Sequence, residues 1–301
     1  MLNHIPDVIE LVDYIDDGEQ ARHYQFRLIN INKSIKKSLN NSSEKSSQNN
    51  TAKHHWQDAQ PGQFFMLNVP SVGEAAFTFT EPPNEQGEFR ALIRQMGKLT
   101  NTLFTLPKGE ILGARGPFGR GWPLENIAQQ NIIIIAGGCG LAPLVNLING
   151  LTRHKAANLV DNQQLVLIYG AQSKQAQLLT AERQRWQQQI KIFNTLDEVD
   201  TQYALTENES QGTPIDIVDT ALASFTEPAT TALLCGPEVM MHSAAKHLVR
   251  NGITSDAIFL AIERRMHCAI GLCGHCYLNE HYVCKNGPTF SWQELQLINQ
   301  R

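Results

Sequence analysis

The sequence predicts an antiparallel β-barrel, followed by an α/β domain built on a parallel sheet and by a small C-terminal module. Three observations lead to this fold class. Short strand-like segments between glycine and proline turns fill the first region, and continuous apolar strands that alternate with helices fill the second. Four of the six cysteines then fall between Cys268 and Cys284. We therefore expect domains at residues 1–125, 126–262 and 263–301.

Length and composition limit the class of protein. The 301 residues are 42% hydrophobic and 18% charged, which allows a sizeable core and excludes global disorder. A formal net charge of −4 lacks the basic excess of a dedicated nucleic-acid-binding protein. The longest apolar run, residues 132–148, is interrupted by glycines and a proline, and the acidic N-terminus lacks the pattern of a signal peptide. We expect a cytoplasmic protein that binds no nucleic acid and inserts in no membrane.

Alternating polar and apolar residues predict the strands of the barrel. The first strand ends before a polar, low-complexity segment, residues 33–55, which holds six serines, four asparagines and five lysines. Such a composition cannot form a core, so we expect a loop inserted between two barrel strands. The predicted strands cover residues 23–29, 63–69, 76–80, 88–94 and 111–114.

Unbroken apolar runs are typical of the buried strands of a parallel sheet. Three such runs, at residues 131–136, 165–169 and 231–235, predict the sheet of the second domain. Helix-like stretches follow Pro143 and cover residues 240–251. The alternation of strand and helix indicates a sheet that is covered on both faces.

Glycine turns follow the first and the third of these strands. Gly137, Gly138 and Gly140 lie between a strand and a helix, where glycine lets a pyrophosphate approach the backbone and the helix N-terminus favours its charge. Taken alone, such a turn is as often structural as functional. The second turn, at the same sheet edge, comprises Cys235, Gly236 and Pro237. Cys235 is placed either to contact a nicotinamide or to act as a small buried thiol.

The cysteine cluster is the strongest chemical signal in the chain. Cys268, Cys273, Cys276 and Cys284 follow the spacing C-x4-C-x2-C-x7-C, whose first three positions match plant-type [2Fe–2S] proteins. Such a cluster needs two thiolates per iron and backbone N–H donors to its sulfurs, and glycines within the loop allow the necessary curvature. The alternatives are a zinc site, although zinc prefers two short paired motifs, and free thiols.

Residues suited to a flat ring and to a phosphate are spread over the barrel. Phe77 and Thr78 place an aromatic ring beside a hydroxyl, which suits an isoalloxazine with polar edges. Arg94 and Thr100, with Gly97 between them, suit a phosphate. A phenylalanine in a strand is also a common core residue, so spacing alone leaves both interpretations of Phe77 open.

Together these segments resemble the ferredoxin–NADP reductase superfamily. They are most similar to a branch that includes the gamma subunits of nickel–iron hydrogenases and sulfhydrogenases, the electron-transfer subunit of dihydroorotate dehydrogenase and its counterpart in anaerobic sulfite reductase. The resemblance covers nearly the whole chain except residues 33–55, and its most specific stretch runs from Glu263 to Pro288. It implies an FAD-binding barrel, an NAD(P)-binding domain and a C-terminal [2Fe–2S] module.

The resemblance also implies which residues hold these cofactors. The flavin ring would lie between Phe77 and Thr78. The flavin phosphates would contact Arg94, Gly97 and Thr100. The nicotinamide nucleotide would approach Gly137, Gly138 and Gly140, and its nicotinamide would lie beside Cys235, Gly236 and Pro237. The iron ligands would be Cys268, Cys273, Cys276 and Cys284.

Two departures from the family pattern bear on ligand binding. The flavin motif R-x-Y-S reads A-A-F-T at residues 75–78, so the motif arginine is missing and Arg94 becomes the candidate phosphate ligand. Gln172 stands where many members of the family carry arginine, whereas Ser173 and Lys174 would be compatible with a 2′-phosphate. The sequence therefore leaves both NAD and NADP open.

The implied cofactors predict the reaction. A nicotinamide carries two electrons as hydride and an iron–sulfur cluster carries one, so a flavin between them converts one kind of transfer into the other. We expect an NAD(P)H-dependent flavin oxidoreductase that needs no side chain as a proton donor and serves the catalytic subunit of a hydrogenase or sulfur-reductase complex. The alternatives are the electron-transfer subunit of dihydroorotate dehydrogenase, that of anaerobic sulfite reductase, and a non-catalytic, zinc-stabilised interaction module.

Overall fold

The structure is a computed structural model that describes most of the chain. The predicted low-complexity loop lies outside the described residues from position 33 to position 54. The described ranges are 5–29, 55–127, 129–156, 163–200 and 203–300. Within these ranges, no helix is both long enough and apolar enough to cross a lipid bilayer.

Six antiparallel strands form the barrel. They are β1 (Asp7–Asp16), β2 (Ala21–Leu28), β3 (Phe64–Val69), β4 (Gly73–Thr78), β5 (Glu88–Arg94) and β6 (Ile111–Phe118). Hydrogen bonds place them in the order β4-β3-β6-β1-β2-β5. The two ends of this order meet because Glu81, just after β4, forms an antiparallel bridge with Arg90 of β5. This bridge closes the sheet and removes a free edge at that point.

Aromatic side chains fill the interior of the barrel. Phe65, Phe79 and Phe89 are buried around Trp56, and the ring centroids of Phe65 and Phe79 are 4.9 Å apart. That separation lies in the range of favourable aromatic pairs. Phe79 is therefore a core residue, whereas Phe77 is partly buried at the edge of this cluster.

Seven strands form the second sheet, and a separate hairpin follows its sixth strand. The strands after β6 are β7 (Ile132–Gly137), β8 (Leu165–Ala171), β9 (Lys191–Leu196), β10 (Glu209–Gln211), β11 (Thr231–Cys235), β12 (Ile258–Ala261), the hairpin β13 (Tyr277–Leu278) and β14 (His281–Tyr282), and β15 (Thr289–Ser291). The sheet order is β10-β9-β8-β7-β11-β12-β15, parallel except for β15. The chain changes direction across the sheet between β7 and β11, which is the position where open α/β sheets bind ligands.

Helices cover both faces of the second sheet. One helix, α1 (Lys98–Leu103), belongs to the barrel. The helices that follow β6 are α2 (Leu124–Ile127), α3 (Ala142–Ala156), α4 (Thr180–Trp186), α5 (Val218–Leu222), α6 (Glu238–Arg250), α7 (Val283–Asn286) and α8 (Trp292–Asn299). Ile132 and Ile134 face the core that contains α3 and α4, whereas Ile133 and Ile135 face the core that contains α6 and α8. Burial on both faces explains the unbroken apolar run in β7.

The C-terminal segment is packed against both domains. Strand β15 extends the second sheet, and the backbone amide of Glu294 donates to Ser291 Oγ at 3.1 Å to begin α8. Arg120, which follows β6, donates from Nε to the Thr289 carbonyl oxygen at 2.9 Å and pairs with Glu294 at 2.8 Å. The segment expected to be a loop-rich appendage therefore also contributes a strand and a helix to the body of the protein.

The predicted strands are confirmed to within a few residues, but β1, β9, β10, β12, β15 and the hairpin strands β13 and β14 were not predicted. The clearest case is β1, whose acidic residues hide its alternation. Only Ile9 and Leu11 of this strand are buried, and its other residues are partly or fully exposed. A strand with one short apolar face carries too weak a pattern to be recognised without its neighbours.

Candidate functional site

A cleft of about 790 Å³ opens between the barrel and the second sheet. Strand β4 and the segment after β5 line it from the barrel side, and Cys139 lines it from the turn after β7. Residues 261–267, which lead from β12 to the cysteine loop, complete the lining. The cleft brings together six residues that the sequence analysis singled out: Phe77, Thr78, Arg94, Gly97, Thr100 and Cys235.

The end of β4 forms one wall of the cleft. Thr78 is paired with Phe64 of β3, and its hydroxyl donates to the Gln63 carbonyl oxygen at 3.3 Å. Phe77 lies beside it and is half-buried. The wall therefore presents an aromatic ring next to a hydroxyl, which is the combination expected beside a flat ring with polar edges.

The segment between β5 and α1 forms the polar end of the cleft. Thr100 Oγ1 accepts hydrogen bonds from the backbone amides of Met96 at 2.8 Å and Gly97 at 3.0 Å, so this hydroxyl holds the turn before α1. Arg94 and Lys98 add two cationic side chains to the lining. Lys98 was not among the predicted site residues, although its position directly after Gly97 is a signal that could have identified it.

The two glycine turns meet at the ends of β7 and β11. A Cβ atom on Gly140 would lie 2.5 Å from the carbonyl oxygen of Cys235, so only glycine allows this approach. Gly236 has φ +146°, and a Cβ there would lie 3.0 Å from the Gly137 nitrogen. Cys139 and Cys235 reach the cleft from these turns. The predicted nucleotide residues that lie outside its lining are Gly137, Gly138, Gly140, Gly236 and Pro237.

Three ionisable side chains in the cleft have raised pKa values. Burial raises the pKa of Cys139, of Glu263 and, most strongly, of the fully buried Cys235. Arg94 opposes the rise in the pKa of Cys139, whereas the Glu263 carboxylate adds to the rise for both thiols. Both thiols are therefore neutral near pH 7. Glu263 was not among the predicted site residues, although it lies two residues after the end of the buried strand β12.

Backbone amides in the cysteine loop point at two of the clustered sulfurs. Cys268 Sγ accepts hydrogen bonds from the amides of Leu272 at 3.3 Å and Cys273 at 3.4 Å. Cys284 Sγ accepts a hydrogen bond from the Gly271 amide at 3.2 Å. The curvature of the loop thus directs donors toward the sulfur atoms, as the sequence analysis expected from its glycines.

Burial differs among the clustered thiols. Cys276 and Cys284 are each 1% exposed, whereas Cys273 is exposed. Burial raises the pKa of Cys284 to about 12, and the neighbouring Cys276 thiol adds to this rise. The His275 backbone amide lowers the pKa of the Cys273 thiol. Among the described residues, no three His, Cys, Asp or Glu side chains are grouped so as to hold a single metal ion.

The cleft and the cysteine loop are adjacent in space and in sequence. His267 lines the cleft, and the next residue is Cys268. The imidazole rings of His267 and His275 meet edge to face, with centroids 4.2 Å apart. The two predicted sites are therefore neighbours, which the spacing of motifs along the chain does not reveal.

Three family models match consecutive parts of the chain. An oxidoreductase FAD-binding domain matches residues 34–122, and an oxidoreductase NAD-binding domain matches residues 134–246. The iron–sulfur cluster binding domain of dihydroorotate dehydrogenase B matches residues 263–296. These matches confirm the expected set of cofactor-binding domains, and they fall on barrel strands β3 to β6, on most of the second sheet and on the cysteine loop.

Curated relatives match most of the chain. The sulfhydrogenase 1 subunit gamma of Pyrococcus furiosus is 31% identical over 248 residues, which are 78% of this chain and 80% of that protein. The chain belongs to the ferredoxin–NADP reductase superfamily. Within this superfamily, the probable dihydroorotate dehydrogenase B (NAD(+)), electron transfer subunit of Pyrococcus horikoshii is 30% identical over 244 residues, which are 79% of this chain and 82% of that protein.

Solved structures of the superfamily share the fold. The structure of an NADH-dependent reduced ferredoxin–NADP oxidoreductase matches with a TM-score of 0.69 and 20% identity, covering 97% of this chain and 93% of that chain. A cytochrome P450 reductase from Amycolatopsis matches with a TM-score of 0.61 and 20% identity, covering 84% of this chain and 68% of that chain. The predicted fold class, a barrel followed by a parallel-sheet domain and a cluster module, is confirmed.

Proposed function

We propose that this protein is an iron–sulfur flavoprotein subunit that transfers electrons between NAD(P)H, FAD and a [2Fe–2S] cluster. Its partner is the catalytic subunit of a hydrogenase or sulfur-reductase complex. The continuity of the cleft with the cysteine loop carries this proposal, because His267 lines the cleft and Cys268 follows it directly. A ring bound against Phe77 and Thr78 would share one cleft with the residues that lead to the thiols.

The lining of the cleft fits FAD. The Phe77 ring and the Thr78 hydroxyl suit the flat ring system with its polar edge, and the volume of about 790 Å³ lies in the range of cofactor pockets. Arg94 and Lys98 supply positive charge for a diphosphate. Gly97 and Thr100 form the turn that carries Lys98. We assign the flavin phosphates to this polar end of the cleft.

The cysteine loop fits a two-iron cluster. Four thiols supply the two ligands that each iron needs, and amide donors already point at Cys268 and Cys284. Gly271 and Gly274 have φ values of +75° and +77°, a backbone conformation that curls the loop and favours glycine. The proposed ligands are Cys268, Cys273, Cys276 and Cys284.

The remaining residues bind and orient the nucleotide. A bound flavin supplies the chemistry that connects hydride transfer to single-electron transfer. The Cys235 thiol is buried behind the cleft and neutral, so it would give a nicotinamide a small apolar neighbour without adding charge. No acidic side chain is needed for the hydride step. The proposed nucleotide contacts are Gly137, Gly138, Gly140, Cys235, Gly236 and Pro237.

A second candidate is the electron-transfer subunit of dihydroorotate dehydrogenase. The match of residues 263–296 to the cluster domain of that enzyme favours it, as does the 30% identity to a relative with that name. Both candidates use the same three redox groups in the same order. They differ in the catalytic partner that receives or supplies the electrons.

Two further parts of the proposal concern organisation and location. We propose boundaries at residues 125 and 262, supported by the ends of β6 at Phe118 and of β12 at Ala261. We propose a cytoplasmic location, supported by the six cysteines, none of which forms a disulfide. Free thiols are typical of a reducing compartment.

Anaerobic purification tests the proposed function. We expect a yellow-brown protein with bound FAD, about two iron and two sulfide per chain, and NAD(P)H-dependent reduction of a dye. A sample that contains no iron and stays silent in EPR at every stage of reduction would contradict the proposal, and zinc without flavin would support an interaction module. Co-purified subunits, either nickel–iron or dihydroorotate-oxidising, decide between the two partners.

A further inference from the structure

We propose that the nucleotide site selects NADH over NADPH, because Asp197 and Glu198 lie where the adenosine ribose would bind. This inference rests on the proposed function and names the substrate of the same site. The sequence alone leaves both nucleotides open, since Ser173 and Lys174 would be compatible with a 2′-phosphate. In the structure, Lys174 is paired with Glu209, whereas Asp197 and Glu198 are exposed at the end of β9.

The carboxyl ends of β7, β8 and β9 form one edge of the second sheet. Gly137 is paired with Gly170, and Ala171 is paired with Leu196. In sheets of this kind the diphosphate lies at the glycine turn after the first strand, and the adenosine ribose lies beside the strands that follow. The segments that leave β8 and β9 at this edge therefore form the ribose side of the site.

The segment that leaves β9 presents two carboxylates, and the segment that leaves β8 contacts one of them. Glu198 Oε1 accepts a hydrogen bond from Gln172 Nε2 at 3.2 Å, and the Glu198 amide donates to the Gln172 carbonyl oxygen at 2.8 Å. Asp197 is exposed at the end of β9, and burial together with the charges of Glu198 and Asp216 raises its pKa. Three negative charges are thus close together beside the place expected for the ribose.

Lys174, which follows β8 at this edge of the sheet, already forms an ion pair with Glu209. Lys174 Nζ lies 2.7 Å from Glu209 Oε1 and 4.9 Å from the centroid of the Tyr203 ring. The Glu209 side chain is 4% exposed, and the hydroxyls of Tyr203 and Thr206 donate to its other oxygen at 2.7 and 2.8 Å. Releasing Lys174 would leave a buried carboxylate without its counter-charge, so this lysine is held away from a phosphate.

The two nucleotides differ by one group at this position. A 2′-phosphate carries roughly −1.5 to −2 charges at neutral pH and would meet the carboxylates of Asp197 and Glu198. A ribose 2′-hydroxyl carries no charge and can donate a hydrogen bond to either of them. The same residues that repel the phosphate therefore bind the hydroxyl, which gives the selection both an attractive and a repulsive part.

The ratio of kcat/KM for NADH and NADPH in dye reduction by the full-length holoprotein tests this inference. We expect NADH to be preferred by about tenfold or more, since two carboxylates act on one phosphate. The double variant Asp197→Asn, Glu198→Gln keeps the shape of both side chains and should reduce this preference about tenfold, chiefly through a lower KM for NADPH. Glu227→Gln, at an exposed acid before β11 on the opposite edge, is the matched control and should leave the ratio unchanged.

Calorimetric binding of ADP-ribose and of its 2′-phosphate separates this inference from the proposed function. If neither nucleotide reduces the flavin, the proposed function fails, yet tighter binding of ADP-ribose still supports the selection. Equal or tighter binding of the 2′-phosphate compound overturns the inference. A preference that stays the same in the double variant overturns it as well, because the charges would then not cause it.

Discussion

Arg115 of β6 donates a hydrogen bond from Nη1 to the carbonyl oxygen of Cys268 at 3.2 Å. The same guanidinium donates from Nε to Glu74 Oε1 at 2.8 Å, and both side chains are largely buried. The hydrogen bond to Glu74 raises the pKa of Arg115, so the guanidinium keeps its positive charge. Because Glu74 lines the cleft, one ion pair connects the cleft wall, the barrel and the loop of proposed iron ligands.

Arg115→Met is expected to weaken the attachment of the cysteine loop. The variant leaves the Glu74 carboxylate without its partner and removes the donor to Cys268, which we expect to lower the free energy of unfolding by about 2–4 kcal/mol. Iron should also be lost faster to a chelator. Arg90→Met is the control, because Arg90 and its partner Glu81 are exposed and such pairs contribute about 0–1 kcal/mol. Equal rates of iron loss in the two variants would contradict the expectation that Arg115 holds the cysteine loop to the barrel.

Cys276→Ala is expected to separate the two electron-transfer steps. Cys276 lies in the buried part of the cysteine loop and outside the lining of the cleft. We expect the variant to lose cluster absorbance and reduction of the partner while it keeps much of the flavin-dependent dye reduction. Iron analysis and steady-state dye assays measure the two effects. Cys139→Ala removes a thiol outside the cluster and should keep its iron, whereas unchanged iron in Cys276→Ala would rule out this ligand.

Local patterns account for what the sequence could predict of the fold and site. The spacing from Cys268 to Cys284 and the turn at Gly137 each lie within one short stretch of chain, and both are recognisable without knowledge of the fold. The unbroken apolar run of β7 also lies within one short stretch of chain, and it predicts that both faces of this strand are buried. Grouping Phe77 with Cys235 in one cleft needed the family resemblance, because they are far apart in the chain.

Contacts between distant segments account for what the sequence could not predict. In the sequence, Lys174 is an available cation, but the fold places the buried Glu209 beside it at 2.7 Å. Glu263 gains its role as a cleft residue only because β12 ends next to the barrel. Strand β15 is three residues long and pairs with β12, so its pattern is too short to identify without that neighbour.

Gly140→Ala is expected to disturb the junction of the two glycine turns. The added Cβ would lie 2.5 Å from the Cys235 carbonyl oxygen, so the ends of β7 and β11 must move apart. We expect a loss of about 1–3 kcal/mol in the free energy of unfolding, together with weaker nucleotide binding. Gly150→Ala is the matched control in the middle of α3, where an added Cβ meets open space. It should stabilise the protein by about 0.5–1 kcal/mol, and a comparable loss in both variants would contradict the steric argument.

Glu209 is expected to make the stability of the second domain dependent on pH. Burial raises its pKa, but hydrogen bonds from Lys174, Tyr203 and Thr206 outweigh this effect and hold the pKa at about 2. Since the pKa is lower in the folded state than in the unfolded chain, the ionised carboxylate stabilises the fold above about pH 5, and this contribution is lost between about pH 5 and pH 2.

Urea denaturation of wild type and Glu209→Gln across this pH range measures the contribution. We expect the variant to be less stable by about 2 kcal/mol at pH 7, and the difference to shrink as the solution is acidified toward about pH 2, where about half of the wild-type Glu209 side chains are also neutral. Glu207→Gln, at an exposed acid two positions away, should show little difference from wild type at neutral pH. A difference between wild type and Glu209→Gln that is constant with pH would mean that the amide disturbs packing, and that the charge of Glu209 does not stabilise the position of Lys174.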